Sequence, residues 1–189
     1  MIIVLSITLI IFSFVIGSIP TGLLIARSKG VDLRRINSGN IGATNVLRAV
    51  GKEAALLTLL GDIGKGAIPV VIAKALPHFG FQISDLGFLQ SAISNQQSAI
   101  EGIMGLSAIL GHNFSLFLKF KGGKGVATSL GVLLVFSPTV ALLTITIWLL
   151  TAKWTRYSSL SALVSFGLLP LSIYMLDYSK EKMIIAIAI

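Results

Sequence analysis

Lys119-Phe-Lys-Gly-Gly-Lys-Gly-Val-Ala-Thr-Ser129 is a polar stretch between two apolar ones, with three lysines and three glycines in its first seven residues. Glycine lets backbone N–H groups approach an oxyanion closely, and lysine adds a full positive charge. A helix that begins after these residues would add the positive end of its dipole. The stretch, called the glycine-rich loop below, is therefore suited to binding phosphate.

The glycine-rich loop matches neither of two common nucleotide-binding motifs. A P-loop needs glycine at position 118 and serine or threonine at position 125, where this chain has Leu118 and Gly125. A dinucleotide-binding turn needs a third glycine in place of Thr128 and a strand before the loop. Taken alone, the loop could equally be a basic turn that flanks a membrane span.

The composition is that of a membrane protein. Of the 189 residues, 54% are apolar and only 12% are charged, and the mean hydropathy is +0.93. Apolar runs of about 20 residues match the roughly 30 Å hydrocarbon core of a bilayer. We therefore expect an all-α polytopic membrane protein in which residues 1–189 form one domain. The chain has no cysteine, and its two separate histidines, His78 and His112, cannot form a metal cluster, so no metal site is expected.

Hydropathy predicts seven transmembrane helices, some of them short or kinked and the last truncated by the end of the sequence. Pro20 and the glycines beside it should kink or unwind the first span near residues 17–22. Ser137 and Pro138 should divide one apolar stretch into a hairpin of two short helices, with Ser137 as the cap. The predicted spans are residues 2–26, 53–76, 99–118, 126–136, 139–152 and 160–176, followed by the beginning of a further helix at 183–189.

Basic residues are concentrated in three loops. Of the 15 lysines and arginines, 11 lie in or beside residues 27–52, 119–124 and 153–156. The positive-inside rule assigns these loops to the cytoplasmic side, where their charge would attract anions. The opposite side would carry a polar connection at residues 77–97, with a short interfacial helix near residues 86–93, and a turn at residues 177–182.

Ionisable residues also fall inside the predicted spans. Asp62 and Lys65 stand three residues apart on one face of the second span, where charged groups should face the interior of the bundle. We expect a structural ion pair, with a direct role in substrate binding as the alternative. His112 lies about two turns before the glycine-rich loop. It is either a packing residue or a catalytic base.

Two further polar motifs lie on the same predicted side as the glycine-rich loop. Asn37-Ser-Gly-Asn-Ile-Gly-Ala-Thr-Asn45 combines small hydroxyl and amide residues with glycines, and Arg48 follows it. Turns of this composition direct N–H and O–H groups outward, and arginine adds a planar, bidentate guanidinium group. Thr155-Arg-Tyr-Ser-Ser159 forms the third inward loop. The sequence therefore predicts a second phosphate site beside the first.

Together these motifs resemble the PlsY family of bacterial membrane acyltransferases, which acylate glycerol 3-phosphate with acyl phosphate. The resemblance extends over essentially the whole chain and rests on residues 17–22, 38–45 with Arg48, 111–113, 120–128 and 156–160. It implies a seven-helix enzyme of the bacterial cytoplasmic membrane, with its motif loops at the cytoplasmic face. The implied reaction forms lysophosphatidic acid in the first step of phospholipid synthesis. The resemblance also implies no cofactor, no nucleic-acid partner and a functional link to the enzyme that makes acyl phosphate.

The resemblance also implies the residues of the site. Those expected to act in catalysis are Ser38, Asn40, Arg48, His112 and Lys124. Those expected to bind substrate are Asn45, Gly122, Gly123, Gly125, Thr128, Arg156 and Ser159. We hypothesise that the backbone of the three glycines, with Lys124, holds one phosphate. The second substrate would then be held by Ser38, Asn40, Asn45, Arg48 and Arg156, and a swap of the two phosphate sites is open.

Several points stay open in the sequence. The inward loops offer only Asp32 and Glu53 as a general base, and an oxygen of the acyl phosphate could itself take the hydroxyl proton. The family pattern has a histidine and an asparagine in a further motif after the last helix, which we expect to lie beyond the end of this sequence. The alternative functions are a small membrane transporter for an organic phosphate, which broken helices would suit, and a lipid-binding assembly protein.

Overall fold

The computed structural model describes residues 2–76, 96–177 and 180–189, and these residues form ten α-helices. In chain order the helices are α1 (Ile2–Ser18), α2 (Thr21–Ser28), α3 (Ala43–Ala49), α4 (Lys52–Ala75), α5 (Gln96–Asn113), α6 (Val126–Phe136), α7 (Pro138–Thr155), α8 (Ser158–Gly167), α9 (Leu169–Leu176) and α10 (Lys180–Ala188). Two short 3₁₀ helices, Leu33–Arg35 and Leu116–Leu118, lie in the loops. No strand occurs within the described ranges, and the predicted all-α class is confirmed.

Helices α4 and α5 form the centre of the bundle. α5 packs against α1, α4, α6 and α10, and α4 also packs against α2, α3 and α6. Glycines allow this close approach, since a Cβ atom on Gly66 would lie 2.1 Å from the carbonyl oxygen of Thr128. The same distance would separate a Cβ atom on Gly111 from the carbonyl oxygen of Phe14. The packing brings the C-terminal end of α5 beside the start of α6, where the glycine-rich loop lies.

The first span is broken where the sequence predicts a break. α1 ends at Ser18 and α2 begins at Thr21, with Pro20 between them. At the break, the carbonyl oxygen of Ile19 accepts hydrogen bonds from the Thr21 N–H at 3.0 Å and from Nζ of Lys65 at 2.8 Å. Irregular backbone at membrane depth is tolerated when other parts of the protein satisfy it in this way.

The predicted hairpin is also present, as α6 and α7, with Pro138 in the first turn of α7. Of the two helices only α6 is short, with 11 residues, because α7 has 18 and continues to Thr155. Ser137 occupies the N-cap position of α7 as predicted, but the capping role expected of its side chain is not found. Its side chain makes no capping hydrogen bond and donates instead from Oγ to Oδ2 of Asp177 at 2.6 Å. Nζ of Lys182 lies 2.9 Å from the same carboxylate oxygen. Ser137, Asp177 and Lys182, called the hairpin clasp below, join the α6–α7 turn to α10.

Three predicted boundaries differ from the structure. The third span ends at Asn113 rather than at residue 118, because Oγ of Ser115 donates to the carbonyl oxygen of Ser18 at 2.5 Å and turns the chain toward α1. The span predicted at 160–176 is two helices, α8 and α9, which meet at Leu168 with a bend of 42°. The turn predicted at 177–182 is shorter, because α10 begins at Lys180.

The connection predicted at residues 77–97 lies outside the described residues except for its last two, which begin α5, and the interfacial helix predicted near 86–93 lies wholly outside them. Within the described part of the chain, length and hydropathy identify two clear membrane spans, Val4–Ser28 and Lys52–Ala75. The bent pair of α8 and α9 is a third if it counts as one span. The helix α6 is apolar but has only 11 residues.

The hairpin clasp should make the stability of the protein depend on pH in the acidic range. Burial raises the pKa of Asp177, but hydrogen bonds from Lys182 and Ser137 outweigh burial and hold the pKa below its ordinary value of 3.8. A carboxylate with a lowered pKa stabilises the folded state above its ordinary pKa, and this contribution is lost as the pH falls through the folded-state pKa.

We therefore expect Asp177→Asn to lower the Tm at neutral pH by a few degrees, which corresponds to about 1 kcal/mol. The difference between the variant and the parent should shrink as the pH falls below about 4. Thermal unfolding in detergent over a pH series measures both quantities. A Tm difference that stays constant at every pH would contradict the role of the carboxylate.

Candidate active site

The glycine-rich loop packs against the end of α5 through its own backbone. The N–H of Gly122 donates to the carbonyl oxygen of Asn113 at 3.0 Å, and the N–H of Gly123 donates to that of His112 at 3.0 Å. A Cβ atom on Gly122 would lie 1.8 Å from the His112 carbonyl oxygen, and one on Gly123 would lie 2.2 Å from His112 Nε2. In this structure both N–H groups are donated to α5, so the predicted part of Gly122 and Gly123 in phosphate binding stays a prediction. Their lack of a side chain is what the packing requires.

Gly125 is the last residue of the glycine-rich loop before α6, which begins at Val126 and includes the rest of that stretch. Its backbone is left-handed, with a φ of +74°, and a Cβ atom there would also lie 2.6 Å from Oδ1 of Asn113. Only glycine adopts this conformation readily and leaves space for the asparagine. The resulting turn brings Lys124 and Gly125 onto the wall of a cavity.

The second motif loop, which joins α2 to α3 at residues 29–42, is held in shape by Asn45 of α3, which is 3% exposed. Its Nδ2, which has two hydrogens to donate, lies within hydrogen-bond distance of three carbonyl oxygens of the loop, those of Leu33 at 3.3 Å, Ile36 at 3.3 Å and Asn40 at 2.8 Å. These bonds fix the orientation of the amide, because carbonyl oxygens accept only from its nitrogen. Its Oδ1 is buried and accepts no hydrogen bond from the described residues.

The cavity measures about 690 Å³, and residues of the three motif loops line it together. Eight of the residues that the sequence singles out line it: Ser38, Asn40, Asn45, Arg48, His112, Lys124, Gly125 and Ser159. Nζ of Lys124 donates to Oγ of Ser159 at 3.3 Å, which connects the glycine-rich loop to the start of α8. Apolar side chains from α4, α6, α7 and α8 complete the lining, among them Leu56, Leu59, Leu130, Ile145, Trp148, Leu149 and Phe166.

Four predicted site residues do not line this cavity: Gly122, Gly123, Thr128 and Arg156. Thr128 is fully buried, and its Oγ1 lies 3.2 Å from Nδ1 of His112. Arg156 is exposed at the C-terminal end of α7, in a left-handed conformation with a φ of +59°. Thr128 thus contacts His112, and Arg156 follows the last residue of α7. Their predicted parts in substrate binding stay predictions.

Sequence reasoning missed the role of Arg34. Its guanidinium group donates to the carbonyl oxygen of Lys121 in the glycine-rich loop and to that of Gly39 in the second motif loop. It thus ties together the two loops that face the cavity. In the sequence, Arg34 is one of several basic residues beside the first span and carries no signal that distinguishes it from Arg35.

The charges on the cavity wall favour an anionic ligand. Arg48 and Lys124 are both exposed residues on this wall, whereas Asp62 is the acidic residue among those that line it. Nζ of Lys65 lies 2.9 Å from Asp62 and offsets its charge, so the carboxylate does little to repel an anion. Hydroxyl groups of Ser38 and Ser159 add neutral donors. The site can therefore bind phosphate groups beside an apolar surface.

The packing of the glycine-rich loop gives a testable stability difference between two glycines. Gly122→Ala should destabilise the fold by about 1–3 kcal/mol, because the clash is with backbone that cannot move aside. Gly64 of α4 has open space around it. Gly64→Ala is therefore the matched control, and it should leave the Tm unchanged or raise it slightly. Equal Tm values for the two variants would contradict the described packing.

Comparison with known proteins identifies the family. A family model described as glycerol-3-phosphate acyltransferase matches residues 7–189. Proteins with that name from Geotalea daltonii and Aquifex aeolicus are each 41% identical to this chain, over 184 and 181 residues. The alignments cover 97% and 96% of this chain and 84% and 85% of the two relatives.

Two solved structures share the fold. The crystal structure of PlsY (YgiH), an integral membrane glycerol 3-phosphate acyltransferase, in its glycerol 3-phosphate form has a TM-score of 0.81 and 38% sequence identity. Its lysophosphatidic acid form has a TM-score of 0.79 and 37% identity, and each comparison covers 96% of this chain and 82% of the solved one. The predicted resemblance and the predicted membrane class are thereby confirmed. The chain belongs to the glycerol-3-phosphate acyltransferase family.

Proposed function

We propose that this chain transfers a fatty acyl group from acyl phosphate to the 1-position of glycerol 3-phosphate and so forms lysophosphatidic acid. The observation that carries the proposal is the mixed lining of the cavity, where basic and hydroxyl side chains stand beside apolar ones. Both substrates carry phosphate, and one also carries a long apolar chain. Family membership and the ligand forms of the related PlsY structures support the same reaction.

The chemistry requires little from the protein beyond binding and orientation. Acyl phosphate is a mixed anhydride, and its phosphate is already a good leaving group. The oxygen of the 1-hydroxyl forms a bond to the acyl carbon, the bond from that carbon to the phosphate oxygen breaks, and the hydroxyl proton leaves with the released phosphate. Holding two reactants in the right geometry supplies up to roughly 7–11 kcal/mol of the barrier reduction. No covalent intermediate on the protein is needed.

Two groups of residues would hold the two phosphates. Lys124 and Ser159, which are hydrogen-bonded to each other, form the first group. Arg48 forms the second group with Ser38 and Asn40 of the neighbouring loop, all on the same cavity wall. Positive charges at these points also stabilise the negative charge that develops on the acyl oxygen and on the leaving phosphate.

The acyl chain would lie along the apolar part of the cavity, against Leu56 and Leu59 of α4 and Trp148 and Leu149 of α7. Leu56 and Leu59 lie in α4, one of the two clear membrane spans, and Trp148 and Leu149 lie in a span that the sequence predicts. A donor could therefore enter from the bilayer while its phosphate reaches the basic loops. Burial of each methylene group contributes about 0.8 kcal/mol to binding.

We also propose that the chain is a single domain with seven spans in the bacterial cytoplasmic membrane, and that its motif loops face the cytoplasm. The spans would be α1 with α2, α4, α5, α6, α7, α8 with α9, and one that contains α10. The concentration of basic residues in the three inward loops supports this orientation. Glycerol 3-phosphate would then come from the cytoplasm, and acyl phosphate would be supplied by an enzyme that makes it.

An assay of the purified protein tests the proposed reaction and the role of Lys124. We expect lysophosphatidic acid to form from glycerol 3-phosphate with acyl phosphate as the donor and not with acyl-CoA. Lys124→Ala should lower kcat by about 100- to 1,000-fold, because one charged contact to the transition state is lost. Lys121→Ala is the matched control, since its side chain is exposed in the same loop and does not line the cavity.

Two outcomes would contradict the proposal. No turnover by a folded protein with either donor would exclude acyl transfer by this chain, and uptake of an organic phosphate into proteoliposomes would then be the alternative to measure. Equal activity of Lys124→Ala and Lys121→Ala would exclude a role for Lys124 in binding phosphate.

A further inference from the structure

A buried ion pair lies inside the bundle beside the cavity. Asp62 and Lys65 of α4 are 2% and 4% exposed, and Nζ of Lys65 is 2.9 Å from Oδ1 of Asp62. The same carboxylate oxygen accepts a hydrogen bond from Oγ1 of Thr21 at 2.5 Å, and Lys65 also donates to the carbonyl of Ile19. The predicted structural ion pair is therefore present, and it ties α4 to the break between α1 and α2.

The polar contacts continue from Asp62 to the glycine-rich loop. Nδ1 of His112 is 3.7 Å from Oδ1 of Asp62 and 3.2 Å from Oγ1 of Thr128. The opposite nitrogen, Nε2, is next to Gly123, where a Cβ atom would lie only 2.2 Å from it. Asp62 and His112 both line the cavity. His112 is thus the link between the ion pair and the loop that carries Lys124.

A buried ion pair inside the helix bundle is not explained well by its contribution to the stability of the fold. The lost hydration of two buried ions offsets most of their attraction, and apolar residues of similar size often stabilise a fold as well or better. The carboxylate does have a specific effect on the imidazole, because its negative charge favours a proton on the nearer nitrogen, Nδ1. An Nδ1–H can donate to Oγ1 of Thr128, which leaves Nε2 as an acceptor beside Gly123.

We propose that Asp62 is a positioning residue, which fixes the orientation and the tautomer of His112 and, through His112, the position of the glycine-rich loop. Lys65 and Thr21 hold Asp62 in place for this purpose. The inference gives a role to residues 17–22 and 61–66, whose polar side chains contact one another inside the bundle. The expected effects on kcat rest on the proposed acyl transfer. The expected effects on the Tm and on the tautomer of His112 do not.

The kinetic test separates positioning from stability. Asp62→Asn keeps the size of the side chain but leaves Lys65 charged, buried and without its carboxylate, so both the Tm and kcat should fall. The double variant Asp62→Asn/Lys65→Met removes the unpaired charge and should regain part of the Tm. Its kcat should stay about 10- to 100-fold below that of the parent, because the loop is still misplaced.

A matched control for this test is Asp177→Asn, which disrupts another ion pair far along the chain, in the hairpin clasp. It should lower the Tm without a comparable loss of kcat. Thr128→Val removes the hydroxyl partner of His112 and should also lower kcat, while Thr128→Ser, which keeps that hydroxyl, should restore most of it.

A spectroscopic test needs no activity. The chain has two histidines, so ¹⁵N-labelled histidine gives two imidazole spin systems, and His112→Asn assigns the one of interest. We expect the Nδ1–H tautomer for His112 in the parent and a shift away from it in Asp62→Asn. This measurement remains decisive if the parent shows no acyl transfer, in which case the proposed function fails and the positioning role is judged on the tautomer.

Three results would overturn the inference. The first is the Nε2–H tautomer for His112 in the parent protein. The second is an unchanged tautomer in Asp62→Asn. The third is a double variant whose kcat recovers together with its Tm, which would show that the ion pair serves stability alone.

Discussion

Two main-chain hydrogen bonds, from the N–H groups of Gly122 and Gly123 to the last carbonyl oxygens of α5, hold the glycine-rich loop in place. The final carbonyls of a helix have no partner within the helix, and in a membrane they must find one elsewhere in the protein. The loop supplies these partners, and it can come close enough only because it has no side chains at the two contact points. The position of Lys124, which directly follows Gly123, depends on this contact.

Each of the other loops is fixed by its own polar contacts to a neighbour. Asn45 bonds to three carbonyl oxygens of the second motif loop, and Arg34 joins that loop to the glycine-rich one. Lys124 reaches Ser159 of α8. Because these contacts already hold the hydrogen-bond donors in place, the donors need to move little when a charged transition state forms. This preorganisation is the main way in which such a site accelerates acyl transfer.

Much of the fold and part of the site can be predicted from the sequence. Hydropathy and proline positions locate the broken first span and the α6–α7 hairpin, because the physics behind them is local to a few residues. One cavity contains Ser38, Arg48, Lys124 and Ser159. This clustering follows from the prediction that their loops lie on the same side of the membrane. The role of Gly122 and Gly123 could not be predicted, since a glycine that binds an anion through its N–H and a glycine that packs against a helix end have the same sequence signature.

Contacts between distant residues were beyond sequence reasoning for a different reason. Ser137 stands before a proline, where a serine usually caps the helix, yet its hydroxyl bonds to Asp177, 40 positions away. Arg34 looks like an ordinary flanking basic residue, and its contact with Lys121 spans 87 positions. Such pairs depend on how the helices pack together, which periodicity and local propensity do not determine.

The central claim is that one cavity binds both phosphate groups and the acyl chain. A crystal structure of the protein with glycerol 3-phosphate and an acyl phosphonate, an analogue whose phosphorus group cannot leave, tests it most directly. The account predicts phosphate or phosphonate oxygens within about 3 Å of Lys124 Nζ and of the Arg48 guanidinium, with the acyl chain against Trp148 and Leu149. Both ligands bound on the exposed basic loops, with the cavity empty, would contradict it.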